Sequence, residues 1–589
     1  MTRVWSGRQG LVAIAVLGVT AVWRGLLLKA SYFNQDDYYL TTRAYHRAVI
    51  SWDFLFDDAA GHVQPAQQLA YWLVAHHAPF EWGQVATAVL AVELLAVAVM
   101  WHLLSRLLPG RWVRLPLLAV FAWSPLTLVP TLWWSAAMGL WPPMLFMLLA
   151  TLAFVRAQDR RRQQARHVWL DVVLCVFAVV VGLTWHERGI LAIAVLMGVA
   201  IARSERTGWR RLPDAVARWW FLWLPLAALG AGYLVLHRTL TAVESQQATI
   251  GSRLEIVTAF VYRNTVPGLA SGPWDAKVLG GAIVPPTWVE VLSAVLAVAA
   301  AVAIIWRGGR ARWVALVMLL AYVAGDVLLL LLGRAGFGEI IGLDPRYTAD
   351  IVAVAVLFAA VGLEDAAPLR LRPWFHQGLA AVGVLLYVAG SALTTAHLAP
   401  RFENRHDRTF VTNLRGDLAK NPYQVLVDRL APPDILLPLL GKEALLSEVF
   451  APLPEHLVFD APTSKLRAVT NDGELVDVRI VQVASSEPGP DGACGYAVRT
   501  GETDIPLAFS APLSGRVVVR LQVFIDREAD YAVRMGSWTG TVHVVRGPQD
   551  IWLVVPADAE PYSSISVRGT GPATLCVVRA DVGPPVAKP

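Results

Sequence analysis

Two adjacent carboxylates, Asp36-Asp37, stand just after the first apolar run. Such a pair can supply a general base, which takes a proton from an attacking hydroxyl, or oxygen ligands for a cation. Solvated loop acids look the same in a sequence, so the pair draws its weight from its position and its companions. Arg346-Tyr347 opens a late apolar run. A guanidinium there can fork onto a phosphate, helped by the dipole and free N–H groups of a helix start. Asp350 follows one turn on and is placed to fix that arginine. His186-Glu187-Arg188 falls at a tight turn between two apolar runs. His186 or Arg188 can meet a phosphate there, with Glu187 holding one of them. His62 precedes Pro65 where a short helix begins. Glu93 and Asp326 fall inside apolar runs, where ionisable groups are rare and functional by default. Two carboxylates alone do not make a metal site, so a divalent cation is allowed for and no cofactor is required.

The elements that must position these residues are membrane helices. Of 589 residues 56% are hydrophobic and 16% charged, and the mean hydropathy is +0.49. A soluble domain carries about 25% charged residues. Long apolar runs account for the deficit, and many of the 24 tryptophans stand near their ends, as in an aromatic belt. About eleven spans are expected, near 10–29, 84–104, 114–131, 137–155, 168–185, 188–203, 218–238, 288–306, 313–333, 347–363 and 375–396. The first is read as a retained span, since no small-residue cleavage site follows it.

Five connecting segments are basic: Arg106 to Arg114, Arg156 to Arg166, Arg203 to Arg211, Arg307 to Arg312 and Arg370 to Arg372. The positive-inside rule places them in the cytoplasm, with the N-terminus inside and the C-terminus outside. Residues 64–79 are moderately apolar, but a span there would invert every later loop. They are expected to lie on the outer surface as a helix with Gln67, Gln68 and His76 on its polar face. The candidate residues then gather on the non-cytoplasmic side. The net charge of +5 is spread over short inter-span clusters, which argues against a nucleic-acid surface. No glycine-rich phosphate loop is present, so a cytoplasmic nucleotide sugar is not implied.

After about residue 400 the pattern changes to β-rich segments such as 516–524 and 551–555, separated by turn residues. An antiparallel β-sandwich is expected from about 465, after a mixed connector over 397–464. Such a domain is either a passive cap or a carbohydrate-binding module, with Trp538, Trp552 and Tyr562 as candidates for stacking on sugar. Cys494 and Cys576 are the only cysteines of this region and can pair if it lies outside the cytoplasm.

The arrangement resembles the GT-C superfamily of membrane glycosyltransferases, which use polyprenyl-phosphate-linked sugars. Asp36-Asp37 is similar to its acidic motif on the first outer loop, here residues 30–83. His62-Val63-Gln64-Pro65 looks like a degenerate His-Pro-Pro segment, and Trp185-His186-Glu187-Arg188-Gly189 is similar in placement to a Lys-Glu pair. Arg346-Tyr347 resembles an Arg-Tyr pair that starts a late span in bacterial members. The C-terminal β region resembles domains appended to actinobacterial arabinosyltransferases. The resemblance covers residues 1–396 by layout more than by sequence.

It implies an inverting, multi-pass enzyme of a bacterial plasma membrane. Arabinofuranose or mannose would pass from a polyprenyl-phosphate donor to a cell-envelope glycan or glycolipid. Asp36 would be the base with Asp37 assisting, and Arg346, Tyr347, His186 and Arg188 would hold the donor phosphate, supported by Glu187, Asp350 and His62. Two other readings stand beside it. One is a polyprenyl-lipid or polysaccharide transporter that couples through Glu93 and Asp326. The other is a non-catalytic envelope assembly protein.

Overall fold

Nine helices among the described residues are long and apolar enough to cross a bilayer. They are Arg8–Ala30, Trp82–Leu107, Trp134–Arg162, Val168–Trp185, Trp220–Leu240, Thr287–Arg307, Arg312–Phe337, Pro345–Leu363 and Gly378–Phe402. A helix satisfies its own backbone hydrogen bonds, which a lipid environment demands of any spanning segment. The chain is therefore a polytopic α-helical membrane protein with a C-terminal β region. This computed structural model describes residues 5, 7–58, 61–241, 249–366, 373–508, 516–556 and 558–588, with backbone alone for 373–377.

Two of the eleven expected spans take another form. The segment 114–131 breaks after the helix Arg114–Ala122. Pro125 has no amide hydrogen to continue it, and the Ser124 hydroxyl instead accepts the Leu126 N–H at the start of the 3-10 turn Pro125–Thr127. The segment 188–203 divides into a 3-10 turn, Glu187–Ile190, and a 12-residue helix, Leu191–Ala202. At 1.5 Å per residue the latter is about 18 Å long.

The helix expected on the surface over 64–79 is Pro65–His77, 13 residues with proline in its first turn. Its polar face differs from expectation. Gln67 and Gln68 are buried, and only His76 of the three is exposed. Gln67 finds its partners inside the protein, donating to the Tyr71 hydroxyl and to the Ser135 carbonyl, each at 3.1 Å.

The chain forms two units, Met1–Asp37 with His46–Asn404 and Tyr38–Tyr45 with Arg405–Pro589. Within the first, the basic connecting segments meet one another. Arg203 bonds Glu364 at 2.8 Å and Asp159 at 2.9 Å, and Arg106 lies 3.5 Å from the same Asp159. Arg211 reaches the Arg310 carbonyl, and Arg111 reaches the Leu363 carbonyl. Grouping these loops by charge therefore agrees with their shared end of the bundle. Arg370 to Arg372 lie outside the described residues.

Both intramembrane acids have arginine partners. Glu93 is fully buried 3.2 Å from Arg24, itself 1% exposed. Arg24 also donates to the Ser124 carbonyl and the Thr127 hydroxyl. The break in 114–131 thus supplies acceptors for a buried charge, as a polar group at such depth requires.

In the second unit a five-stranded sheet (Val517–Ile525, Gly547–Val555, Leu575–Gly583, Ala484–Ser485 and Tyr496–Val498) joins a four-stranded sheet (Trp538–Val544, Ala529–Met535, Ser564–Gly569 and Gly501–Pro506). All these pairings are antiparallel. Alternating side chains such as Val519, Leu521, Val533, Leu553 and Val567 fill one core. The expected connector is more ordered than its name suggests. It carries the helix Arg405–Lys420, and its strands Val425–Leu426 and Val458–Phe459 join Leu466–Val469 in a further sheet. Tyr38 packs on Phe450 in this unit, and the Thr42 hydroxyl donates to the Val449 carbonyl. A disulfide joins Cys494 to Cys576. Trp538 and Tyr562 lean on the main core and Trp552 on the smaller one, so all three pack, partly buried, within the fold.

Candidate functional site

The two adjacent acids turn out to be unlike. They open the helix Gln35–Tyr45 and, one residue apart on a 3.6-residue period, face different surroundings. Asp37 is fully buried. Its Oδ2 accepts the Asn34 N–H at 2.9 Å and its Oδ1 accepts the Ser135 N–H at 2.8 Å. It thereby anchors its own helix start to the first turn of Trp134–Arg162. Burial pushes its carboxyl up to about 7, against the pull of those N–H groups. With both oxygens engaged by backbone, Asp37 is ill suited to ligate a metal together with Asp36.

Asp36 has a side chain 55% exposed, and its Oδ2 lies 3.7 Å from Arg346 Nη1. Its partial removal from water raises the carboxyl above the usual value, while Arg346 and Arg334 draw it back. Arg346 itself is firmly aimed. It sits in the 3-10 turn Pro345–Tyr347, ahead of the helix Ile351–Leu363. Asp344 accepts its backbone N–H at 2.9 Å, its Nε at 2.8 Å and its Nη2 at 2.6 Å. The guanidinium lies 4.0 Å from the Trp133 ring centroid, a cation–π geometry. A half-exposed carboxylate and an oriented guanidinium therefore face each other.

Arg188 stands in the turn Glu187–Ile190, where its guanidinium is held from several sides. Its Nη1 donates to the Arg346 carbonyl and its Nη2 to the Tyr347 carbonyl. It also lies 3.4 Å from Asp326 and 3.4 Å from Asp350. Asp350 in turn accepts the Tyr322 hydroxyl at 2.6 Å. Asp350 thus fixes Arg188 where it was expected to fix Arg346, and Asp326 gains the partner the sequence did not reveal. The Tyr347 ring stands between the two arginines, 5.3 Å from one and 5.8 Å from the other.

His186 is a poor cation for phosphate. The Arg188 N–H donates to its Nδ1 at 3.2 Å, and burial pushes its imidazole down to about 3, against the pull of Glu187. Gly139 allows the ring to approach the helix Trp134–Arg162, since a Cβ there would lie 3.0 Å from the ring. Glu187 Oε1 lies 2.7 Å from His62 Nδ1, and His62 Nε2 lies 2.6 Å from Arg334 Nη2. Arginine only donates, so His62 Nε2 accepts and Nδ1 carries the proton given to Glu187.

Sequence reasoning missed Arg334, Asp344 and Trp133. Arg334 carried a usable signal, because it stands on a loop that the charge rule assigns to the side poor in arginine. Asp344, two residues before Arg346, offers the local carboxylate-to-backbone pattern of a cap.

No family model and no curated protein matches the sequence. Among solved structures the chain is similar to arabinofuranosyltransferase AftD from Mycobacteria, with 13% identity and a TM-score of 0.39. That match covers 96% of this chain and 58% of the other, so the chain spans little more than half of AftD's length. It is also similar to ArnT from Cupriavidus metallidurans, solved bound to undecaprenyl phosphate, with 13% identity and a TM-score of 0.41 over 79% of this chain and 94% of the other.

Proposed function

We propose that the chain is an inverting glycosyltransferase that takes a sugar from a polyprenyl-phosphate donor. The observation that carries this reading is the pairing of Asp36 with Arg346, a half-exposed carboxylate 3.7 Å from an oriented guanidinium. In the proposed step Asp36 takes the proton of an acceptor hydroxyl. The hydroxyl oxygen bonds to the anomeric carbon from the face opposite the phosphate. The bond from that carbon to the phosphate oxygen breaks, and polyprenyl phosphate leaves with the electron pair. Negative charge grows on the leaving group as this happens, and a preorganised cation placed there lowers the barrier.

Arg346 is the cation, held by Asp344 and Trp133. A donor phosphate takes the place of Asp36 on Arg346, and the sugar it carries parts the resting ion pair, so that the freed carboxylate meets the acceptor on the face opposite the phosphate. Asp37 serves this site by anchoring the helix that carries Asp36, and Arg188 by holding the backbone that carries Arg346. His186 drops out of the phosphate contacts proposed here, as a neutral ring gives no charge to an anion. The site lies on the extracytoplasmic side in this reading, in keeping with the basic segments gathered at another end of the bundle. The sugar is arabinofuranose or mannose, and the acceptor an envelope glycan or glycolipid.

The test is transfer by purified protein in lipid, with a panel of polyprenyl-phosphate sugars and envelope-glycan acceptors. Product with inverted anomeric configuration is expected from at least one donor. Retained configuration, or no product from any donor, overturns the proposal.

A further inference from the structure

His62, His186 and Glu187 bring three ligand atoms within 4.8 Å of one another. They come from two separate places in the chain. His62 stands before the helix Pro65–His77, and the other two form the turn that follows Val168–Trp185. The Arg188 N–H donates to His186 Nδ1, so the ring proton resides on Nε2 and the Nδ1 lone pair is turned to that N–H. Glu187 Oε2 lies 3.4 Å from that same Nδ1. It is buried and has no hydrogen-bond partner among the described residues. A buried carboxylate oxygen is thus left without a donor, an unfavourable state that a bound cation would relieve. A tetrahedral cation with bonds of about 2.0–2.1 Å holds its ligands about 3.3–3.4 Å apart; the His186–Glu187 pair stands at 3.4 Å, while the His62–Glu187 pair, at 2.7 Å, must open to admit it.

We propose that His62 Nδ1, His186 Nδ1 and a Glu187 oxygen hold a divalent transition cation of the zinc class, leaving a fourth position open. Two imidazoles and one carboxylate suit zinc better than calcium or magnesium, which take oxygen ligands. The site is independent of the proposed transfer reaction, since none of its three ligands is the base or the phosphate cation of that reading.

The structure also supplies a competitor. While Arg334 donates to His62 Nε2, the His62 proton sits on Nδ1 and points at Glu187. To ligate through Nδ1, neutral His62 must move that proton to Nε2. No net proton is gained or lost, but two donors would then face each other, so Arg334 must withdraw. Cation binding excludes the Arg334–His62 contact, and it also takes the one lone pair of His186 Nδ1 from the Arg188 N–H.

Zinc titration calorimetry on the full-length protein in detergent, after stripping with a chelator, tests this. One equivalent is expected to bind to wild type. Glu187→Gln and His62→Ala are each expected to weaken binding at least tenfold, and Arg334→Ala to tighten it. Thermal unfolding checks that each variant folds, and if Glu187→Gln does not, His62→Ala carries the same comparison. The proposal is overturned if wild type binds no equivalent, if an equivalent survives His62→Ala at unchanged affinity, or if Arg334→Ala weakens binding.

Discussion

Removing the Arg188 guanidinium, as in Arg188→Met, separates an organising role from a substrate-binding one. In the folded protein this side chain spans Asp326 and Asp350 and bonds two backbone carbonyls. Asp326 is fully buried and has no hydrogen-bond partner among the described residues, so Arg188 is its compensating charge. Breaking a buried pair by deleting one partner costs about 3–5 kcal/mol, most of it the stranded charge. Asp350 is less exposed to this loss because Tyr322 also bonds it. Adding Asp326→Asn to Arg188→Met removes the stranded charge and is expected to recover about 0.5–3 kcal/mol, the usual range for contacting residues. Asp326→Asn alone is expected to cost less than Arg188→Met, because Arg188 keeps Asp350 and both carbonyls. Denaturant unfolding in mixed micelles measures all four corners of this cycle. Arg188→Met within about 0.5 kcal/mol of wild type, the range of an ordinary surface substitution, with only a raised donor KM, would refute the reasoning and return Arg188 to the phosphate.

Other perturbations probe the same framework. Asp37 has its carboxyl raised to about 7 by burial, from 3.8 when exposed, so the folded state holds this proton more tightly than the unfolded state. The stabilising contribution is present below the lower value and is lost as pH rises toward the higher one. The stability gap between wild type and Asp37→Asn should therefore be widest near pH 4 and narrow toward pH 7, as thermal unfolding across that window would show. Transfer should rise with pH on the acid side through a limb above 3.8, because Asp36 must be ionised to act as base and its carboxyl is raised. Arg346→Gln should move that limb further up, since Arg346 draws the carboxyl down, and a kcat/KM profile reads both. Glu93→Gln should cost about 3–5 kcal/mol by stranding Arg24 in the bundle, with donor KM unchanged in the surviving protein.

How much of this was legible in the sequence depended on the distance over which each feature is decided. Apolar runs report the long helices, because every residue of a span meets the same solvent requirement. The alternation of basic loops reported which segments share an end, and Arg203, Asp159 and Glu364 then meet there. Partners across the bundle were hidden. Arg24 and Glu93 lie on different spans, and nothing in either run names the other. Asp36 and Asp37 looked alike because adjacency in sequence does not reveal which helix face is buried. Arg188 was assigned to phosphate on its position at a turn, while its real neighbours, Asp326 and Asp350, come from far along the chain. The span broken at Pro125 carried its warning locally, in a proline that apolar content outweighed.

The central claim is that Asp36 is the base and Arg346 the leaving-group cation of a sugar transfer. It is tested most directly by Asp36→Asn, with donor and acceptor saturating and thermal stability matched to wild type. Loss of a positioned general base lowers turnover about 10²–10⁴-fold, so kcat should fall by that factor while donor KM stays near wild type. Turnover within about threefold of wild type, less than 1 kcal/mol of barrier, would contradict the account and remove Asp36 from the chemistry.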